Sequence, residues 1–337
     1  MAMTENAPSH PRDPVKGTLA VTAAFAALIC VRLTIPSDPY FDEIHYLPAA
    51  RTLLELSHPL NREHPPLGKE LLALGIALFG DRTIGWRIMP ALFGTLALLP
   101  GLAFLAVRAR SAGWRLLISR RGPPVGGMTL IEAGVWLGLV PLVAYCAAYW
   151  PFLFYERGAI EPTGLLALHE KMLELQEQVK RPHTYMSVWW EWVLNWRPIW
   201  YYYEVGDGAQ RGVLMIGNPL TMLAGLPAVL WCLWAGVRRR RHDALAVALL
   251  YLAAIGMWIV ASKPVQFYYH DLLPSCFLLA ALALALDALW KRGWRKLVLL
   301  VLAGSVVLFA VFFPILSAAP LAARDSFEFW TWLPSWR

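Results

Sequence analysis

Charge is scarce in this chain. Only 16% of its 337 residues are Asp, Glu, Lys or Arg, against about a quarter in a soluble domain. That shortage excludes an ordinary soluble globule. Cysteine is also sparse: Cys30, Cys146, Cys232 and Cys276 all lie in apolar runs, with no CxxC spacing and none in a long loop. They give no disulfide framework and read as small core residues. Ionisable residues are nearly missing from the apolar runs, which argues against a transporter, whose path usually carries them.

Apolar residues are abundant, at 58% of the chain, gathered into runs near the length of about twenty that a helix needs to cross roughly 30 Å of hydrocarbon. The 17 Trp and 12 Tyr suit rings that settle at the headgroup boundary. A net charge of +7 could suggest nucleic acid, but the basic residues sit in short loops between apolar runs, so no nucleic acid partner is expected.

The reading is an all-α integral membrane protein, a multi-span helical bundle of about seven spans with its N-terminus inside. The spans are 17–35, 86–107, 131–150, 213–236, 243–261, 271–290 and 296–318. Residues 1–16 form a cytoplasmic tail, 17–318 one membrane domain, and 319–337 an outer tail. The first run follows Arg12 and Lys16 like a signal peptide, yet its length favours a retained helix. The run 71–79 is too short to cross and reads as re-entrant or interfacial.

Orientation follows from basic residues in short loops. With the N-terminus inside, the cytoplasmic segments hold fifteen basic and five acidic residues, and the rest of the chain fifteen and eighteen. Loops 36–85 and 151–212, the turn 262–270 and the C-terminal tail then lie outside. In the second loop, Leu165, Leu168, Met172, Leu175 and Val179 recur at helical spacing. This stripe fits a helix packed on the protein's own outer surface or one lying in the membrane interface.

The first outer loop reads Tyr40-Phe41-Asp42-Glu43-Ile44-His45-Tyr46, followed later by Glu63-His64-Pro65-Pro66-Leu67-Gly68-Lys69. One reading of the adjacent acids is that they only solvate a helix end. A carboxylate at the edge of low-dielectric surroundings can instead have its pKa raised and act as a general base. The paired prolines fix the backbone that carries His64 and Lys69. Asp42, Glu43, His45 and His64 could also hold a divalent metal ion, though no metal ligand or cofactor is assigned.

These two strings, with Trp189-Trp190-Glu191-Trp192, Arg197-Pro198-Ile199-Trp200-Tyr201-Tyr202, Ile216-Gly217-Asn218-Pro219 and Phe267-Tyr268-Tyr269-His270, resemble the dolichyl-phosphate-mannose protein O-mannosyltransferases and their bacterial relatives. Those are glycosyltransferases of the GT-C fold. The resemblance implies a transferase at the outer face of the plasma or inner membrane. It would move a hexose, mannose first, from a polyprenyl-phosphate donor to Ser or Thr of a secreted protein. Asp42 matches the acid-base residue and Glu43 its acidic neighbour. His45, His64, Lys69, Glu191, Arg197, Tyr201, Lys263 and His270 match positions that would hold substrate or donor, Arg197 at the phosphate. The chain departs from that family between the second span and 131–150, where only the basic stretch 108–130 replaces several spans. A related lipid-acceptor sugar transferase and a non-catalytic membrane homologue are the alternatives.

The charge count predicts that Ser57→Cys and Thr184→Cys react with a membrane-impermeant thiol reagent in intact cells, while Ser119→Cys does not. Labelling of Ser119→Cys alone would reverse the orientation.

Overall fold

Where the chain turns from polar to apolar after the aromatic loop, a local cap sets the helix start. At Asn218-Pro219 the Asn218 side chain accepts from the backbone N–H of Leu220 and Thr221 at 3.2 and 3.4 Å. Pro219 occupies a first-turn position that lacks an intrahelical donor in any case. The structure, a computed structural model, describes residues 15–97, 129–178, 182–261 and 263–337. Its helices are α1 (Val15–Ile29), α2 (Glu43–Leu54), α3 (Leu67–Phe79), α4 (Thr83–Leu96), α5 (Leu130–Gly134), α6 (Val140–Ala147), α7 (Leu165–Glu177), α8 (Trp189–Val193), α9 (Pro219–Arg239), α10 (His242–Val260), α11 (Leu272–Lys291) and α12 (Arg295–Leu316). A π-helical turn, Val135–Leu139, joins α5 to α6.

Among the described residues, five helical stretches are long and apolar enough to cross a membrane: Val135–Leu153, Pro219–Arg239, His242–Val260, Tyr268–Lys291 and Arg295–Leu316. They match the last five expected spans. The protein is thus a mostly helical, multi-span membrane protein. The two N-terminal spans differ from the expectation. Helix α1 has 15 residues, a rise of about 22 Å, and ends before Leu33 and Pro36. Helix α4 is described only to Leu96, so the end of span 86–107 and the basic stretch 108–121 lie outside the described residues. As expected, α3 is too short to cross, at 13 residues.

The bundle has two packing centres. Tight contact of α9, α10 and α11 buries Cys232, Ala235, Ala244, Ala248, Leu278 and Ala281, with Trp192 and Ile199 in the same cluster. A second cluster joins Leu47, Ala50 and Leu53 of α2 to Leu72, Ala73 and Ile76 of α3 and Trp86 of α4. Here glycine is required by contact: a Cβ on Gly75 would lie 2.1 Å from the Gly85 carbonyl oxygen.

Span 213–236 was drawn too early. Residues 213–215 close an antiparallel hairpin of β1 (Ile199–Gly206) and β2 (Ala209–Met215), and the helix begins only at Pro219. The aromatic run 200–203 and Val213-Leu214-Met215 mimic membrane-boundary sequence, because a strand buried on both sides is as apolar as a span. Helix α7 packs its expected stripe, Leu168 and Met172, on Tyr149, Phe152 and Tyr155. It therefore lies on the protein's own surface, and Val179 falls outside the described residues.

The C-terminal residues fold back onto the hairpin. Trp336 is buried with Trp200, Leu214, Phe312 and Ile315, and its indole N–H donates to the Asn195 carbonyl at 2.9 Å. Removing that ring should open a cavity, so Trp336→Ala is expected to lose about 3–5 kcal/mol, read as a lowered melting temperature in detergent. An unchanged melting temperature would mean that the tail is not part of the fold.

Candidate functional site

The chain enters α2 through a strained residue. Phe41 has φ +50°, a left-handed conformation that is rare for a bulky side chain. Its ring rests 4.4 Å from Tyr201 and 6.5 Å from Tyr269, centroid to centroid. These contacts fix the turn that makes Asp42 the capping residue immediately before α2. The Asp42 carboxylate makes no capping hydrogen bond, although a residue at a helix start commonly does so.

Glu43 is bound quite differently. Arg87, buried on α4, grips it with Nε and Nη2 at 2.7 and 2.8 Å, a bidentate pair. The same guanidinium donates to the carbonyls of Leu33, Pro36 and Asp38, and it stacks over the Tyr40 ring at 4.9 Å. One cation thereby sets the path of residues 33–43. The adjacent acids have different roles: Glu43 anchors, and Asp42 is left free.

Asp42 remains open to solvent on one side, yet the protein around its carboxyl pushes its pKa above the ordinary value. Desolvation is the main cause, opposed by the charges of His64, His45 and Lys263. The cluster is assembled from three distant segments. His64 stacks on Tyr46 at 5.7 Å, and burial lowers its pKa. Lys263 reaches in from the loop after α10; its pKa is also lowered by burial, with Asp42 pulling the other way. Its Nζ lies 3.5 Å from Nε2 of His270, whose ring is packed 5.6 Å from Trp192 and 4.0 Å from Trp258. His45 is exposed beside this group. No three His, Cys, Asp or Glu side chains converge as a metal site among the described residues.

Three expected residues serve the scaffold. Lys69 is buried and donates to the carbonyls of Leu60, Asn61 and His64, at 3.4, 2.6 and 2.9 Å, which shapes the loop carrying His64. Burial brings its pKa down to about 8. Glu191 caps α8 by accepting from the Val188 N–H at 2.8 Å. Arg197 donates to Ser335 O and Thr184 O at 2.9 and 2.8 Å, and it is not among the charges acting on Asp42.

Sequence reasoning missed Arg87, which lies at the start of the expected span 86–107 and outside every quoted motif. It also missed the bonds from Tyr268 Oη to Asn195 Oδ1 at 2.5 Å and from Asn195 Nδ2 to Gly217 O at 3.0 Å, which tie the loop between β2 and α9 to the turn before α11. The quoted Gly-Asn-Pro and Tyr-Tyr-His strings were the only signal for these.

Residues 163–336 match the family described as the C-terminal four TMM region of protein-O-mannosyltransferase. A polyprenol-phosphate-mannose–protein mannosyltransferase of Mycolicibacterium smegmatis is 24% identical, with 97% of this chain and 94% of that protein covered. The protein of the same description from Mycobacterium tuberculosis is 22% identical over 97% and 93%. The first match extends over 487 residues although this chain has 337; the relatives therefore carry residues without a counterpart here. The solved S. cerevisiae Pmt1-Pmt2 complex bound to the sugar donor is similar with a TM-score of 0.44 and 20% identity, over 53% of this chain and 28% of that one.

Breaking the buried pair from one side strands its partner. Arg87→Met should therefore cost about 3–5 kcal/mol, and Arg87→Met with Glu43→Gln should cost less than the two single changes added together. Strict additivity in thermal or denaturant unfolding would refute the coupling.

Proposed function

Because the chain belongs to the protein O-mannosyltransferase family, we propose that it transfers mannose from a polyprenyl-phosphate carrier to a Ser or Thr hydroxyl of a protein, with Asp42 as general base. The observation that carries this reading is the free Asp42 carboxylate, raised in pKa and faced by Lys263 and His64. A neutral alcohol is a poor nucleophile, and a positioned base is worth roughly 10²–10⁴-fold. Asp42 takes the hydroxyl proton as the oxygen bonds to the anomeric carbon. The polyprenyl phosphate leaves on the opposite side with the electron pair of the broken C–O bond, and the configuration inverts.

The charge that grows on the leaving phosphate needs a cation held in low dielectric. Lys263 meets that need, and the donor-phosphate role passes to it from Arg197, whose guanidinium is committed to two carbonyls. His64 and His270 flank it, while the Tyr46 and Tyr201 rings give faces against which sugar C–H groups can lie. The basic-loop count supports a site on the extracytoplasmic side of the cell membrane, where a secreted protein acceptor would be reached.

The 487-residue span of the relatives' match favours a second reading, a homologue that binds donor without turnover. The two readings separate cleanly. Under both, polyprenyl-phosphate mannose should raise the melting temperature in a dose-dependent way; only the first gives mannosylated peptide.

In that transfer assay Asp42→Asn should lower turnover about 10²-fold or more. Since the base works ionised and its pKa is raised, activity should climb with pH through a midpoint above the ordinary carboxylate value. Undiminished turnover in Asp42→Asn would remove this residue from the mechanism.

A further inference from the structure

A strand alternates its side chains from one face to the other, so Trp200 and Tyr202 should share a face. They do not. The pairing runs Ile199 with Met215, Trp200 with Leu214, then Tyr202 with Val213, which leaves Tyr201 without a partner as a bulge. Beyond it the faces are exchanged. Trp200 and Tyr203 now lie together, 5.0 Å apart, on the side of the C-terminal segment, where Tyr203 meets Phe327 at 5.4 Å. Tyr201 and Tyr202 both turn to the other side. Their rings meet the two residues that precede Asp42: Tyr201 lies 4.4 Å from Phe41, and Tyr202 lies 5.6 Å from Tyr40.

We propose that the bulge at Tyr201 is a positioning device for the catalytic carboxylate, with Tyr201 and Tyr202 clamping Phe41 and Tyr40 so that Asp42 is held in its working direction. This rests on the reading of Asp42 as the base. Bulges re-aim side chains next to active sites, and strained backbone persists only where its surroundings over-determine it. Both conditions hold here. Phe41 is the strained residue, at φ +50°. Its ring is gripped by Tyr201 and Tyr269, while Tyr40 is held between Tyr202 and Arg87. The Tyr201 hydroxyl is tied down on Met215 Sδ at 2.9 Å, which keeps the bulged ring from swinging away. The hairpin itself is anchored elsewhere: Arg211 donates to the carbonyls of Gly206, Asp207 and Ala318, and Asp207 accepts from Ser37. Tyr201 thus acts on Asp42 through Phe41, as a positioning residue and not a sugar contact alone.

The groups facing Asp42 are His45 and Tyr46 from α2, His64 from the following loop, Tyr201 from β1, and Lys263 and Tyr269 from the segment after α10. Taking away the Tyr201 ring admits water to the carboxylate and leaves the others in place.

The test measures transfer kinetics for Tyr201→Ala, Tyr201→Phe, Tyr202→Ala and Phe41→Gly beside Asp42→Asn. Tyr201→Ala should lower kcat by about tenfold or more, a size typical of small misplacement, with the donor KM little changed and the acidic limb moved to lower pH. Tyr201→Phe keeps the ring but loses its tie to Met215, and should shift both the rate and the limb in the same direction as Tyr201→Ala but by less. Phe41→Gly relaxes the backbone but loses the ring, and should resemble Tyr201→Ala. A readout free of turnover uses Asp42→Cys in a background without other cysteines. There Tyr201→Ala should raise the rate of maleimide labelling several-fold and Tyr201→Phe by less. If Asp42→Asn is fully active, the base reading fails while the labelling still reports on the clamp. If Asp42→Asn is inactive but folded Tyr201→Ala keeps kcat, pH profile and labelling rate, the clamp is overturned.

Discussion

The buried guanidinium of Arg87 is the constraint on which the site depends. A cation placed within apolar helices must find several acceptors, since leaving it unpaired costs far more than any one of its bonds returns. Arg87 finds Glu43 and three backbone carbonyls of the 33–38 loop. The loop after α1, the start of α2 and the body of α4 are thereby bound to one point. Asp42, one residue from the anchor, inherits a fixed position without spending its own carboxylate.

The same device recurs wherever a loop must be shaped at the rim of the bundle. Lys69 gathers three carbonyls of the loop that holds His64. Arg197 joins the 182–188 segment to the C-terminal residues, and Arg211 closes the hairpin on the end of α12. With few charges available, each buried cation is spent on backbone oxygen. Lys263, whose pKa responds to Asp42, makes no such bond to a carbonyl among the described residues, and the charges of the proposed site therefore separate from the structural ones. Carboxylates divide in the same way, with Glu43 and Glu191 committed and Asp42 free.

Much of the fold was legible because a bilayer imposes length and composition on any crossing helix. Spans 243–261, 271–290 and 296–318 lie within two residues of the helices at His242–Val260, Leu272–Lys291 and Arg295–Leu316. The stripe Leu165, Leu168, Met172 found its partners in Tyr149, Phe152 and Tyr155 because its spacing left one apolar face. The hairpin was not legible. Trp200 to Tyr203 is equally at home at a membrane boundary and in a twice-buried strand, and only contact with Phe41 on one side and Trp336 on the other decides between them.

The sequence by itself determined that this is a membrane protein with most of its spans near their final bounds. It also brought Asp42, Glu43, His64 and Lys263 forward as candidate site residues, because apolar length and local motif are properties of contiguous residues. The division of labour among those residues was decided by tertiary structure. Nothing in Asp42-Glu43 says which acid meets an arginine 44 positions away, and nothing in Lys69 or Arg197 says that carbonyl oxygens will claim them. A side chain's charge is written in the sequence, but whether that charge is free to act depends on what folding places within bonding distance of it.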